Sequence, residues 1–252
     1  MISDTVLVVL TNNKYAKWTI RMLTQIIALS MVSHDDNRPR FDIVCLTEGV
    51  LQADDIGLMH SICDEFVQLE PIPGRSIRWQ KIKIFSMPTL RPYIQIVYMD
   101  SDFIVKGDLS VENLGFNFDK NIAIHGGVCG GTSTGPGRYR EFRPKYHKLL
   151  APEYPKSRDD FQNICLSTNL WVVNVAELPP PDQMKSRVQT LFDKYPLDMY
   201  VTGGEQGFIQ LLFWNSTDLL KVDESKIRHL YRFACKQNSQ GQCTTRLNRE
   251  GE

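Results

Sequence analysis

Apolar and polar positions alternate along this chain in blocks rather than residue by residue. The first block, Val6 to Leu10, is an uninterrupted apolar run that ends in the turn residues Thr11, Asn12 and Asn13. Short runs of this kind are expected of parallel strands buried on both faces. Over 16–32 the apolar positions switch to helical spacing, with Ile20, Leu23, Ile26, Ile27 and Met31 on one face. "RFDIVCLTE" predicts a second buried strand, 52–64 a helix, and "EFVQLEPI" a third strand stopped by Pro71 and Pro73. A helix over 77–87 leads into "IQIVYMDSDFIVKGDL" (94–109), read as the fourth strand. Alternating strands and helices predict an α/β domain around a mostly parallel sheet. Ligands of such sheets bind beyond the carboxyl ends of the strands, where Asn12, Asn13, Asp100 and Asp102 all fall.

Beyond Asn113 the pattern is less regular. "NIAIHGGV" predicts a strand, "STNLWVVNV" another, "DQMKSRVQTLFDKY" a helix, and "GGEQGFIQLLFW" a glycine turn opening a helix. Between the first two, 126–160 is rich in Gly and Pro and holds seven Lys/Arg against four Asp/Glu. A connection this long is either a lid or acceptor-binding loop, or a solvated insertion. Its glycines do not form the phosphate-binding GxxxxGK[ST] pattern.

Charge and composition narrow the picture mainly by exclusion. Lys plus Arg and Asp plus Glu each number 29 among 252 residues, so no global field points to nucleic acid or an anionic membrane. The six cysteines show no CxxC pair and no zinc-like spacing, and most sit in apolar runs, as reduced thiols of a cytoplasmic protein do. The apolar segment at the N-terminus is too short for a signal peptide or a membrane span. The "NST" sequon at Asn215 is then expected to be unused.

The chemistry concentrates at Asp100 and Asp102. In an extended segment positions i and i+2 face one side, so both carboxylates aim at one point while Ser101 turns away. Two hard oxygen ligands at a strand end suit Mg²⁺ or Mn²⁺. The alternative, a solvated turn, is countered by the immediate return to the apolar Phe103, Ile104 and Val105.

Four segments in register resemble a known family. They are "VLTNNKYAKWTIRMLTQIIAL", "KIKIFSMPTLRPYIQIVYMDSDFIVKGDLSVENL", "CLSTNLWVVNV" and "TGGEQGFIQLLF", and together they span over four fifths of the chain. The sequence resembles glycogenin-like, family 8 glycosyltransferases, retaining enzymes of GT-A (Rossmann-like) fold. The resemblance implies one α/β domain over 1–236, with a nucleotide-binding half (1–113), an acceptor- and sugar-binding half (114–236), and a polar tail or linker over 237–252. It implies Mn²⁺ or Mg²⁺ as cofactor and transfer of galactose, glucose or xylose from a UDP-sugar to a glycan, glycoprotein or other hydroxyl acceptor.

Residue roles follow from the same resemblance. Thr11 and Asn12 would bind the uracil edge and Tyr15 its face. Lys83, with Lys81 as close competitor, would reach the donor sugar and phosphates. Asp100 and Asp102 would hold the metal against the diphosphate, with the Ser101 backbone beside the ribose. Ser167, Thr168, Gly203 and Gly204 would line the sugar pocket. Glu205 and Gln206 stand near the anomeric carbon, Glu205 as a stabilising carboxylate or a transient nucleophile.

The sequence also departs from the family. Ser167, Thr168 and Asn169 replace the usual Asn, Ser and Gly, and Thr202 replaces an Asp. The family's HxxGxxKPW motif, which supplies a histidine metal ligand and a phosphate-binding lysine, does not occur. His229 is either a substitute ligand or part of the strand that precedes the motif in the family, with Lys236 seven residues on. The chain is then a working enzyme, alone or as part of a longer protein, or a nucleotide-binding scaffold without turnover. A sugar nucleotidyltransferase would need a Gly-rich, Arg-containing loop after the first strand, where "TNNKYAKW" has none.

Overall fold

The unbroken apolar runs become the central strands of one sheet. β1 (Thr5–Asn12), β2 (Asp42–Glu48), β3 (Glu65–Leu69) and β4 (Gln95–Asp100) pair in parallel in the order β3-β2-β1-β4. The computed structural model describes residues 4–33, 41–107, 122–128, 146, 149, 166–200, 204–214, 220–222 and 234–236. Beyond β4 the sheet continues through β7 (Leu166–Asn174), β6 (Ile124–Val128) and β8 (Leu220–Val222), giving seven strands. β7 alone runs against its neighbours: it is antiparallel to both β4 and β6, while β6 and β8 are parallel to each other.

Period-two alternation sorts the strand residues into two cores. Val6, Val8, Ile96, Tyr98 and Trp171 face one side, Leu7, Val9, Val97, Met99 and Val172 the other. The second side is covered by α1 (Ala16–Ser33) through Met22, Leu23 and Ile26, and by α2 (Ala53–Ile62) through Met59. The first is covered by α3 (Lys81–Ile84), α4 (Pro181–Lys194) and α5 (Glu205–Trp214). This is the expected α/β architecture with a mostly parallel sheet flanked by helices. Among the described residues no helix is long and apolar enough to cross a membrane, and Cys45 and Cys63 are free thiols.

Two expected elements divide. The stretch 94–109 is not one strand: β4 ends at Asp100, Ser101 and Asp102 make a turn, and β5 (Phe103–Val105) leaves the sheet. β5 pairs antiparallel with β9 (Ala234–Lys236), its Phe103 opposite Lys236. The apolar run continues because Phe103 and Val105 pack under α1 rather than within the sheet. The helix expected over 77–87 splits into a 3₁₀ turn (Ile77–Gln80) and the single turn of α3, and Pro88 opens a second 3₁₀ turn (Pro88–Leu90). Most of the basic segment 126–160 lies outside the described residues.

Gly204 is the tightest point in this packing. Its φ of +58° is a conformation that costs an L-residue, and a Cβ there would lie 2.7 Å from Trp79 Cζ2 and 2.9 Å from Tyr200 Cβ. Gly204→Ala combines left-handed backbone strain with overpacking against a ring that Phe208 and Tyr200 hold in place. The expected loss, read from urea midpoints, is about 2–5 kcal/mol, whereas Gly57→Ala, in the exposed surface of α2 with open space around it, should be neutral or stabilising by about 1 kcal/mol.

Candidate active site

The reversed strand determines where side chains meet. Parallel strands deliver their C-terminal residues to one edge of the sheet, and an antiparallel neighbour delivers its N-terminal ones there. The register Met99 opposite Leu170 therefore sets Asp100 at the end of β4 close to Ser167 and Thr168 at the start of β7. Leu10, the last residue of the β1 apolar run, pairs with Asp100 on the other side.

Lys81 closes this edge. It is only 2% exposed, a level lysine reaches only when its charge is matched. Its Nζ lies 2.8 Å from Asp100 Oδ1 and 3.9 Å from Glu205 Oε1, and donates to the Thr168 carbonyl at 2.9 Å and Thr168 Oγ1 at 3.5 Å. Thr168 Oγ1 in turn donates to Glu205 Oε1 at 3.3 Å. The Tyr98 hydroxyl donates to Asp100 Oδ1 at 2.8 Å. Burial, reinforced by the Asp100 charge, holds the Tyr98 phenol well above the ordinary tyrosine range, so it remains a donor.

Local packing places each of these groups. Tyr98 and Trp171 are cross-strand partners and their rings stack at 4.9 Å. Phe85, at the end of α3, stacks on the same Trp171 at 5.1 Å and meets Phe213 of α5 edge-on. Trp79, just before α3, contacts Tyr200, Phe208 and Phe192, with the Arg75 guanidinium 3.9 Å from its ring centroid. Lys81 sits between these two aromatic anchors. Glu205 is the first residue of α5, where unpaired backbone N–H groups favour a carboxylate. It is 3% exposed, and its Oε2 has no hydrogen-bond partner among the described residues. A buried carboxylate oxygen in that state has capacity for a ligand.

A solvent-open cleft of about 450 Å³ lies over this edge, lined by Tyr15, Arg78, Lys81, Asp100, Ser101 and Asp102 among others. Asp100 and Asp102 reach it through the Ser101 turn rather than as alternate residues of one strand. They present hard oxygen donors on one wall, a donor set that suits Mg²⁺ or Mn²⁺. Among the described residues no cluster of three or more His, Cys, Asp and Glu gathers. His229 and Gly203 lie outside the described residues, and so does Thr202.

Other expected residues sit differently from their sequence roles. Lys83 points away and donates to the Glu70 carbonyl at 2.6 Å; the lysine brought to the carboxylates is Lys81. In a helix two residues are separated by about 200°, so only one of the two could face the site. The Thr11 hydroxyl is buried, accepting from Thr19 at 2.8 Å. Asn12 Oδ1 accepts from the Lys14 and Tyr15 N–H groups and caps the entry to α1. Ser167 is buried at the start of β7 and Gln206 half-buried in the first turn of α5. The space beside Gly204 is filled by Trp79. His125 is buried within β6, opposite Val172 and Lys221. Arg78 and Tyr98 were not singled out from the sequence; the i, i+3 spacing of Arg78 and Lys81 was the available signal.

Two stability tests follow. Lys81→Met leaves Asp100 and Glu205 without their shared cation and should cost about 3–5 kcal/mol, against about 1 kcal/mol or less for Lys83→Met, both from urea midpoints. The second concerns pH. A phenol whose folded pKa is raised keeps its proton where the unfolded chain has lost it, so stability should fall as pH rises above about 10. Tyr93 and Tyr200 are displaced in the same direction, chiefly by burial. Tyr98→Phe should flatten that alkaline slope, and an unchanged slope would show that Tyr98 does not contribute to it.

The sequence matches no family model and no curated protein. Solved structures do match. The bifunctional glycosyltransferase WbbM in its apo form aligns with a TM-score of 0.60 at 16% identity, over 88% of this chain and 39% of that one. An active-site mutant of LgtC aligns at 0.53 and 11% identity, over 85% and 72%. The glycosyltransferase GlyE of Streptococcus pneumoniae TIGR4 aligns at 0.52 and 15% identity, over 88% and 46%. This chain thus spans less than half the length of WbbM and of GlyE. At these identities the likeness is one of architecture: the chain has the fold of known glycosyltransferases.

Proposed function

We propose that this chain is a retaining, glycogenin-like family 8 glycosyltransferase that moves a galactose, glucose or xylose unit from a UDP-sugar to a hydroxyl acceptor. The observation that carries the reading is the Lys81-centred group on this fold. A buried cation joins Asp100 and Glu205 beside a cleft that Asp102 and Tyr15 also line. The nucleotide-binding half (1–113) supplies Tyr15, Lys81, Asp100, Ser101 and Asp102, and the sugar-binding half (114–236) supplies Ser167, Thr168, Gly203, Gly204, Glu205 and Gln206.

Each group has a distinct task in this reading. Tyr15 stacks on the base, and Asn12, with Oδ1 committed to α1, offers its amide N–H₂ to a base carbonyl. Asp100 and Asp102 hold Mn²⁺ or Mg²⁺, which when bound supplies Lewis-acid stabilisation of charge on the UDP leaving group. Lys81 takes the role the family gives its donor-site lysine and ties the Asp100 and Glu205 carboxylates to one cation. Thr168 and Lys81 orient Glu205 towards the anomeric carbon, where its carboxylate stabilises oxocarbenium character or forms a transient glycosyl ester.

The test is to incubate the protein with UDP-galactose, UDP-glucose and UDP-xylose, with and without Mn²⁺, and to follow UDP and the anomeric configuration of the sugar. Metal-dependent UDP release with retained configuration is expected, falling about 100-fold or more in Glu205→Gln and in Asp102→Asn. UDP binding without turnover on any donor would sink the enzymatic reading and leave a nucleotide-binding scaffold.

A further inference from the structure

The cleft contains a cation that none of these roles uses. Arg78 lines it beside Lys81 and is exposed, and its guanidinium makes no hydrogen bond or ion pair among the described residues. It lies in the 3₁₀ turn Ile77–Gln80 that runs directly into α3, so Arg78 and Lys81 are i, i+3 neighbours. Trp79 between them is buried in the aromatic cluster with Tyr200 and Phe208. The backbone under Arg78 is therefore anchored while its guanidinium extends into solvent at the cleft.

Charge decides what it can take. The Lys81 ammonium is already committed to Asp100 and Glu205, and Asp102 adds a further carboxylate to the cleft lining. A divalent cation on Asp100 and Asp102 brings this group to neutrality and leaves nothing for the two negative charges of a nucleotide-sugar diphosphate. Lys83 is tied to the Glu70 carbonyl and Lys14 sits 5.2 Å from the Tyr15 ring centroid. Among the described residues lining the cleft, Arg78 is the remaining cation.

We propose that Arg78 binds the diphosphate of the nucleotide donor, a role that rests on the UDP-sugar reading and deepens it. A guanidinium presents paired N–H donors that match two phosphate oxygens, so it discriminates a diphosphate from a single phosphate or a bare nucleoside. It contributes to binding of both donor and UDP product, and acts on the leaving group rather than on the sugar.

Titration calorimetry with Mn²⁺ and UDP, UMP or uridine tests it. Arg78→Gln is expected to weaken UDP binding about 10- to 100-fold, UMP binding less, and uridine binding not at all, with Arg78→Lys recovering part of the loss. Added salt should weaken UDP binding more in the wild type than in Arg78→Gln. Unchanged UDP affinity in Arg78→Gln, or equal losses for UDP and uridine, would overturn the assignment while leaving the UDP-sugar reading intact. A wild-type protein that binds no UDP would overturn both.

Discussion

One buried ammonium holds the functional edge of this protein together. Lys81 on α3 reaches Asp100 on β4, Thr168 on β7 and Glu205 on α5, and so joins four elements through one side chain. Two carboxylates brought to one edge repel each other, and Glu205 loses its hydration there. The lysine offsets both, and the Thr168 and Tyr98 hydroxyls supply hydrogen bonds to the same carboxylates. The charged state that makes the edge chemically useful is thus also what allows it to be buried.

That arrangement depends on apolar packing on either side. α3 is a single turn, too short to hold a geometry by its own hydrogen bonds. It is fixed by large rings at both ends, Trp79 against α4 and α5, and Phe85 against Trp171 of the sheet. Gly204 permits the Trp79 side of this clamp by leaving room for the indole. The glycine turn expected to admit a sugar thus also brings the start of α5 against the ring that positions the lysine.

Much of the framework was legible in the residues because periodicity reports burial directly. Val6 to Leu10, the helical spacing over 16–32 and the apolar run of β4 all give the elements that form. What periodicity cannot report is direction, and nothing in "STNLWVVNV" marks β7 as reversed. Nor can it choose between Lys81 and Lys83, since in "KIKIF" either lysine could occupy the inner face until Trp79 and Phe85 fix the turn. The Asp100/Asp102 pair was visible by composition, but the turn at Ser101 was hidden because Phe103 and Val105 are buried under a different layer. Asn12 was legible as a functional residue and, by its place before α1, equally as a cap; its Oδ1 is spent on the second.

The reversal of β7 has a further consequence, for the order in which the chain acquires its parts. Lys81 and Thr168 are 87 residues apart in sequence, and β4 meets β7 only after a long stretch of chain has returned to the sheet. Closing so long a loop carries an entropic cost before any contact compensates it. β1, β2 and β3 are joined by local βαβ connections and can collapse before β7 arrives. Desolvation of the charged edge then coincides with docking of β7 and α5, which makes the chemistry of the cleft a late product of folding and a sensitive reporter of its completion.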